Sequence, residues 1–249
     1  MPVRGARVTL AGVVVAALAT AACAGRPLVK QYEYEEEIYL GIDGSATVVV
    51  NASLPALAAL RGLPVPTAAS ARVDRGAIRR LYEADGVEVT RVSRPWRRRG
   101  RRFVQVRVDV EDIRRLGRVA PFAWSTYALE TSGGVIVYRQ RVAAPAGDPK
   151  ATTWIGDELV AFRLHVPSRI QYHNAPSKQV QRGNILAWEQ PLAARLGGTP
   201  LDLEVRMEPE SILRRTLIIF AAAGAAAVAL LLAIIWWVVR RGRAARAGA

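Results

Sequence analysis

A run of arginines between residues 91 and 102 has the most distinctive chemistry in this sequence. Its candidate binding residues are Arg94, Trp96, Arg97, Arg98, Arg99, Arg101 and Arg102. A guanidinium group pairs through two parallel hydrogen bonds with phosphates and carboxylates, and indole rings partition to membrane interfaces. The pattern predicts a surface for anionic groups, either lipid headgroups or an acidic partner protein. The alternative is a solvated loop in an arginine-rich chain.

Basic residues around an aromatic ring also suit nucleic acid, so the distribution of charge matters. The formal net charge of the 249 residues is +14. Eight of the 35 Lys and Arg residues lie in or beside the two apolar terminal segments, which leaves 27 against 21 acidic residues, or +6, for residues 26–213. Much of the basic character is therefore a signal of membrane topology, and we predict no nucleic-acid partner.

Residue types that commonly perform catalysis are sparse. The two histidines, His165 and His173, both lie in strand-like segments, and the single cysteine has no partner for a metal site or an intramolecular disulfide. No HExxH or GxSxG motif occurs, and Gly133-Gly134 is typical of a hairpin turn. We predict no catalytic residue, no metal and no cofactor. An envelope enzyme, in which His165 or His173 converges with a carboxylate in a cleft, stays a third alternative.

Acidic and aromatic residues allow two interpretations each. The acidic run 33–37 has carboxylates for a cation such as calcium, but it lacks the geometry of a calcium loop, which favours an exposed acidic strand edge. Trp124, Trp154 and Trp188 suit either a sugar or apolar site or an ordinary core, and core packing is favoured.

Most of the secondary-structure elements predicted to position the candidate residues are β-strands. The predicted strands cover 38–42, 46–51, 87–93, 103–110, 124–131, 135–142, 158–166, 170–173, 184–189 and 201–207. Ser53, Asp74 and Asp112 predict the starts of three short helices. Because regular βαβ crossovers are missing, we predict an α+β fold with a largely antiparallel sheet. The arginines then project from a hairpin tip between the strands 87–93 and 103–110.

A transmembrane helix is predicted at the C-terminal end. Residues 216–239 hold no charged side chain, and Arg240, Arg241, Arg243 and Arg246 follow them. A helix of this length covers roughly 36 Å, enough for a hydrocarbon core of about 30 Å. The arginines predict a cytoplasmic C-terminus, with residues 240–249 as a basic tail, and Trp236 and Trp237 suit the membrane interface.

The first 23 residues are typical of an export signal. Arg4 and Arg7 precede an apolar stretch that ends in small residues directly before Cys23. This ending is similar to a bacterial lipobox, which predicts a lipid on Cys23, although Thr20 stands where leucine is usual. Cleavage without lipidation and an uncleaved short anchor are the alternatives. Residues 26–213 are then a single extracytoplasmic domain.

Two segments resemble a known family, the LppM-type membrane-anchored bacterial lipoproteins (the DUF3153 family). YEYEEEIYLGIDGSATVVVNASLP resembles the opening of that family, and LHVPSRIQYHNA followed by RGNILAWEQPL resembles its closing part. The arginine-rich tip and the long middle have no counterpart. The resemblance implies an envelope protein without recognised catalytic residues, with lipid or glycolipid handling as the expected activity.

We therefore predict a single-pass cell-envelope lipoprotein whose non-catalytic outer domain binds membrane lipid or glycolipid. Such binding predicts a closed apolar cavity of several hundred Å³ in the domain. The alternative is an assembly or adaptor subunit that holds an acidic envelope protein through the arginine-rich tip.

Overall fold

The computed structural model describes residues 30–148, 150 and 153–247, with side chains described as far as residue 237 and at Arg240. Its strands are β1 Gln31–Leu40, β2 Ala46–Ser53, β3 Val87–Val92, β4 Trp96–Arg98, β5 Arg101–Val110, β6 Ser125–Ser132, β7 Val135–Val142, β8 Glu158–His165, β9 Ser168–His173, β10 Ile185–Pro191 and β11 Leu201–Ser211. Its helices are α1 Leu54–Arg61, α2 Arg75–Tyr82, α3 Leu192–Leu196 and α4 Ile212–Ala247, with 3₁₀ turns at Ile113–Arg118 and Ala120–Phe122.

The strands form two sheets, which confirms the predicted α+β fold class. The first has the order β10-β8-β1-β2-β5-β3, with β4 beside β5, and the second has the order β6-β7-β11-β9. Val106 and Val108 of the first sheet share a buried core with Tyr138 and Val205 of the second. Valine alternates with polar residues along β5, and Val104, Val106, Val108 and Val110 are all buried, as expected for a strand with one face in the core.

Strand β1 begins seven residues before the predicted start and lies inside the first sheet, between β2 and β8. It pairs antiparallel with β2. Two of its side chains contact β8: Glu35 contacts Arg163, and Glu37 contacts His165. The two partners are 128 residues apart in the sequence in both pairs. A constant offset over successive outward-facing positions requires that β1 and β8 run parallel.

The interpretation of the acidic run as an exposed strand edge is therefore wrong. Glu33 and Glu36 are buried, and Glu35 and Glu37 are half-buried. The charges of Glu33, Glu35 and Glu37 are accommodated because β5 and β8, distant in the chain, place Arg101, Arg163 and His165 beside them. Local sequence cannot show these partners.

Local capping signals do predict helix starts. The Ser53 Oγ accepts a hydrogen bond from Ala56 N at 3.1 Å, and α1 ends at Gly62 in the left-handed conformation, with φ 63°. The Asp74 carboxylate likewise accepts from Gly76 N at 2.8 Å, and α2 ends at Tyr82, before the predicted stop at Gly86. The third predicted helix is a 3₁₀ turn capped by Asp112.

Helix α4 begins four residues before the predicted membrane span. Its segment Ile212–Trp237 has 26 residues, and the most apolar 18 consecutive residues within it have a mean hydropathy of 2.8 and are 0 % buried against the rest of the protein. By length and composition this helix can cross a membrane. Two short elements, β4 and α3, have no counterpart among the predictions.

Candidate functional site

The arginine-rich segment forms a tight hairpin of β4 and β5. Arg98 pairs with Arg101 across a two-residue turn in which Arg99 and Gly100 have φ 46° and 74°. Positive φ at both positions is the pattern of a type I′ turn, which matches the twist of the flanking strands. Six of the seven predicted site residues therefore lie on this hairpin, and Arg94 lies outside it.

Arg101 belongs to a buried ion-pair network. Its guanidinium lies 2.7 Å from Glu33 Oε1 and 2.9 Å from Glu158 Oε1, and its Cζ lies 4.8 Å from the centre of the Trp154 ring. Burial alone raises the pKa of Glu158, but the amides of Ile155 and Gly156 together with Arg101 hold that pKa below its usual value. This arginine joins β5 to β1 and β8, a structural role.

Three further arginines of the hairpin also have partners within the chain. Arg97 and Arg102 both donate to the Ala69 carbonyl, at 2.9 and 2.8 Å, and Arg99 lies 3.4 Å from Asp157. Trp96 stacks on Phe103 with ring centres 5.8 Å apart and keeps 39 % of its surface exposed. The bonds to Ala69 fasten the hairpin to the segment between α1 and α2, and the Arg99 pair joins it to the segment before β8.

The seven predicted arginine-site residues are therefore not gathered into one free basic surface. Arg98 is half-buried, whereas Arg94 is exposed and lies on the other side of Pro95, facing α2. The predicted lipidation site, Cys23, lies outside the described residues.

Both histidines lie on strands. His165 Nε2 is 2.6 Å from Glu37 Oε1, and its ring stacks on Tyr39 at 3.9 Å beside a groove of about 500 Å³. The hydroxyls that line this groove bond to carboxylates, Ser45 to Asp43 and Thr47 to Asp109. A histidine beside a carboxylate at a groove is the arrangement that the enzyme alternative predicts, and among the described residues no hydroxyl donates to His165.

His173 differs in that its Nδ1 is buried, with no hydrogen-bond partner in the described part of the chain. Burial, and next the charge of Lys178, lowers the pKa of His173. No group of three or more metal-ligating side chains occurs among the described residues.

A fully buried carboxyl, Glu36, lies where the two sheets face each other. Its Oε2 accepts from Tyr34 Oη at 2.8 Å, while its Oε1 accepts from Tyr127 Oη at 3.0 Å and from Gln140 Nε2 at 2.8 Å. Burial raises the pKa of Glu36 despite these three donors. The sequence gives no signal for this cluster, because Glu36 stands in a run of apparently exposed acids.

A groove lies where β9 and β11 meet the first turns of α4. Its volume is about 480 Å³. Its apolar lining is Ile170, Val180, Ile212 and Ile219, and its charged lining is Arg169, Glu208, Glu210 and Arg215. Glu208 bridges the two arginines, at 3.7 Å from Arg169 and 3.4 Å from Arg215. The formal charges of this lining cancel.

The sequence gives no signal for this groove. Arg215 lies directly before the apolar segment 216–239, and nothing in the sequence pattern joins it to residues 169–184. The groove forms because Ile212 N donates to the Pro167 carbonyl at 3.1 Å, which holds the start of α4 against β9.

No family model matches this chain, and no curated protein matches it. Among solved structures, the folded domain of the Mycobacterium tuberculosis LppM protein, determined by NMR, is similar in outline. The sequence identity is 12 %, the TM-score is 0.41, and the match covers 74 % of this chain and 95 % of that one. This is a loose structural likeness and shows no function; membership of the DUF3153 family stays a prediction.

Proposed function

We propose that this chain is a membrane-anchored, non-catalytic envelope protein whose outer domain binds a lipid or glycolipid at the membrane surface. The groove between β9, β11 and α4 is the observation that carries the proposal. If Ile212–Trp237 spans the bilayer, the first turns of α4 lie at the level of the headgroups, and the groove opens there.

The lining of the groove suits an amphipathic ligand. Ile170, Val180 and Ile219 offer an apolar wall for the upper part of an acyl chain. Ser211 and Thr216 lie beside the charged residues and add polar groups within reach of a headgroup. The grooves described above are open to solvent, so none of them is the closed apolar cavity expected for lipid binding. A lipid in the groove beside α4 would instead keep the rest of its chains in the bilayer.

The balance of positive and negative charge in the groove limits which lipid headgroups it can bind. Glu208 already neutralises Arg169 and Arg215 in part, and Glu210 adds a second negative charge. An anionic phosphate would have to displace Glu208, whereas sugar hydroxyls or a zwitterionic head can hydrogen-bond to both signs of charge. A glycolipid or a zwitterionic lipid is therefore the favoured ligand class.

The adaptor alternative has less support. Four of the arginines on which it depends, Arg97, Arg99, Arg101 and Arg102, have partners within the chain. An acidic partner would have to compete with these contacts.

Native mass spectrometry of the full chain, released from nanodiscs made with envelope lipids, tests the proposal. We expect a discrete lipid mass that persists on wild-type protein, and at least tenfold less of it on Val180→Glu. Ile155→Glu is the matched control, because it also replaces an exposed aliphatic side chain, 72 % exposed, outside the groove.

Equal lipid retention by wild type and Val180→Glu would show only boundary lipid and would reject the groove as a binding site. A clean protein mass for wild type would reject lipid binding and favour the adaptor alternative.

A further inference from the structure

A second site of a different character lies at the β3 edge of the first sheet. Helix α2 and β3 enclose a polar cleft of about 620 Å³ there. Its polar lining residues are Arg75, Arg79, Thr90, Arg91, Ser93 and Arg94. None of the described residues that line it is acidic, so four positive charges face one space.

Two of these arginines are held in place by the sheet edge. Arg75 donates to the Val92 carbonyl through Nε at 3.2 Å and Nη2 at 2.7 Å, and Arg79 donates to the Val89 carbonyl. Because β3 is the last strand in the order of its sheet, arginines from α2 satisfy its outward carbonyls. The fixed guanidinium groups lose little conformational freedom when a ligand binds.

The other two arginines, Arg91 and Arg94, are exposed, and their side chains make no hydrogen bond or ion pair with the described part of the chain. Beside them, Ser93 Oγ accepts from Gln105 N at 2.9 Å, which leaves its hydroxyl hydrogen available to a ligand. One carboxylate, Glu83, contacts Arg79 at 3.7 Å, with both side chains more than 40 % exposed. That single exposed pair offsets little of the positive charge.

We propose that this cleft binds a phosphate group that carries two or more negative charges, such as a phosphomonoester or a diphosphate. Guanidinium forks match the tetrahedral oxygens of phosphate, and four of them exceed what one carboxylate can balance. This cleft is separate from the groove beside α4. Its arginines lie on α2, on β3 and directly after β3, and the inference goes beyond the proposed function. The phosphate can belong to a soluble ester or to a lipid headgroup, which share this chemistry.

Calorimetry with pyrophosphate tests the cleft, using the full chain in nanodiscs of phosphatidylcholine. The variant is Arg91→Ser with Arg94→Ser, and the control is Arg114→Ser with Arg141→Ser, which removes the same charge from exposed positions outside the cleft. We expect the cleft variant to weaken binding at least tenfold and the control to leave it within twofold. Equal weakening by both pairs would reduce the effect to net charge and overturn the proposal.

The second arm identifies the source of the phosphate. Vesicles that contain phosphatidic acid are floated with the same protein in nanodiscs, and the captured fraction is measured. Pyrophosphate binding that depends on Arg91 and Arg94 shows that a soluble phosphate suffices. Vesicle capture alone, lost in the cleft variant, assigns the site to a headgroup. If neither ligand binds in a way that depends on Arg91 and Arg94, the proposal is wrong.

Discussion

At the scale of single residues, burial and pairing separate side chains that look alike in the sequence. Glu35, Glu36 and Glu37 are neighbours, yet two of them join arginine and histidine on β8 and the third enters the core. The alternation of a strand explains why Glu36 faces opposite to its neighbours. The local sequence does not predict that Gln140, 104 residues away, donates a hydrogen bond to the buried Glu36 carboxyl.

The raised pKa of Glu36 predicts a particular pH dependence of stability. The folded protein keeps the Glu36 proton at pH values where the unfolded chain, with a pKa of 4.5, has released it. The stabilisation is therefore complete below pH 4.5 and is lost as pH rises through the folded-state pKa, by at most about 1.4 kcal/mol per pH unit. Glu36→Gln should remove this dependence and gain stability relative to wild type as pH rises.

Urea unfolding of the full chain in detergent between pH 4 and pH 8, followed by tryptophan fluorescence, measures the difference. Glu130→Gln serves as the control, because the side chain of Glu130 is 64 % exposed and should change the pH profile little. A stability difference between Glu36→Gln and wild type that is constant with pH would contradict the assignment.

At the scale of elements, signals within a few residues were sufficient for the helix starts and for most strands. Ser53 and Asp74 cap helices as predicted, because a cap depends on neighbours two or three residues away. The first half of β1 was missed because its charges suggested solvent exposure. The hairpin strand β4 was missed because three residues, two of them arginine, give no periodic pattern.

Close backbone packing at the end of α1 gives a prediction for this scale. The segment around Gly147 crosses the last turn of α1, and Ala146 N donates to the Leu60 carbonyl at 3.1 Å. A Cβ at position 147 would overlap the carbonyl oxygens of Ala58 and Ala59. Gly147→Ala should therefore destabilise the protein by about 1–3 kcal/mol, since backbone atoms must shift.

Thermal unfolding of the two variants Gly147→Ala and Gly224→Ala in the same detergent provides the comparison. An added methyl at Gly224 meets no atom within 4 Å, and alanine is favoured over glycine inside a helix, so that variant should be no less stable than wild type. Unchanged unfolding of Gly147→Ala would show that the segment does not cross α1 so closely.

At the scale of the whole molecule, hydropathy alone located the C-terminal helix. Orientation rests on the arginines that follow it in the sequence, which predict a cytoplasmic C-terminus. A green fluorescent protein fused after Ala249 should fluoresce, and an alkaline phosphatase at the same place should be inactive. Fusions after Ser211, before α4, should show the reverse. An active phosphatase at the C-terminus would contradict the proposed orientation.

Neither of the two proposed binding sites could be located from the sequence. The groove beside α4 joins residues 169–184 to residues 208–219, and the arginine cleft joins α2 to β3 and to the residues directly after it. Arg75 and Arg79 look like the solvent face of an amphipathic helix until the edge strand beside them is known. The arginine content of the chain points to binding of anionic groups, but the chain topology decides which arginines line the same cleft.

If the chain is secreted, the central place of β1 in the first sheet decides when its neighbouring strands become available. If the chain is exported with its N-terminus first, β1 and β2 emerge early, while β8, the other neighbour of β1, follows more than a hundred residues later. During that interval the edge of β1 that later pairs with β8 has no partner strand. Glu35 and Glu37 on β1 are then not yet paired with Arg163 and His165. Negative charge on an unpaired edge discourages pairing with other nascent chains. The carboxylates of Glu35 and Glu37, which form ion pairs in the folded protein, would thus disfavour aggregation before β8 is available.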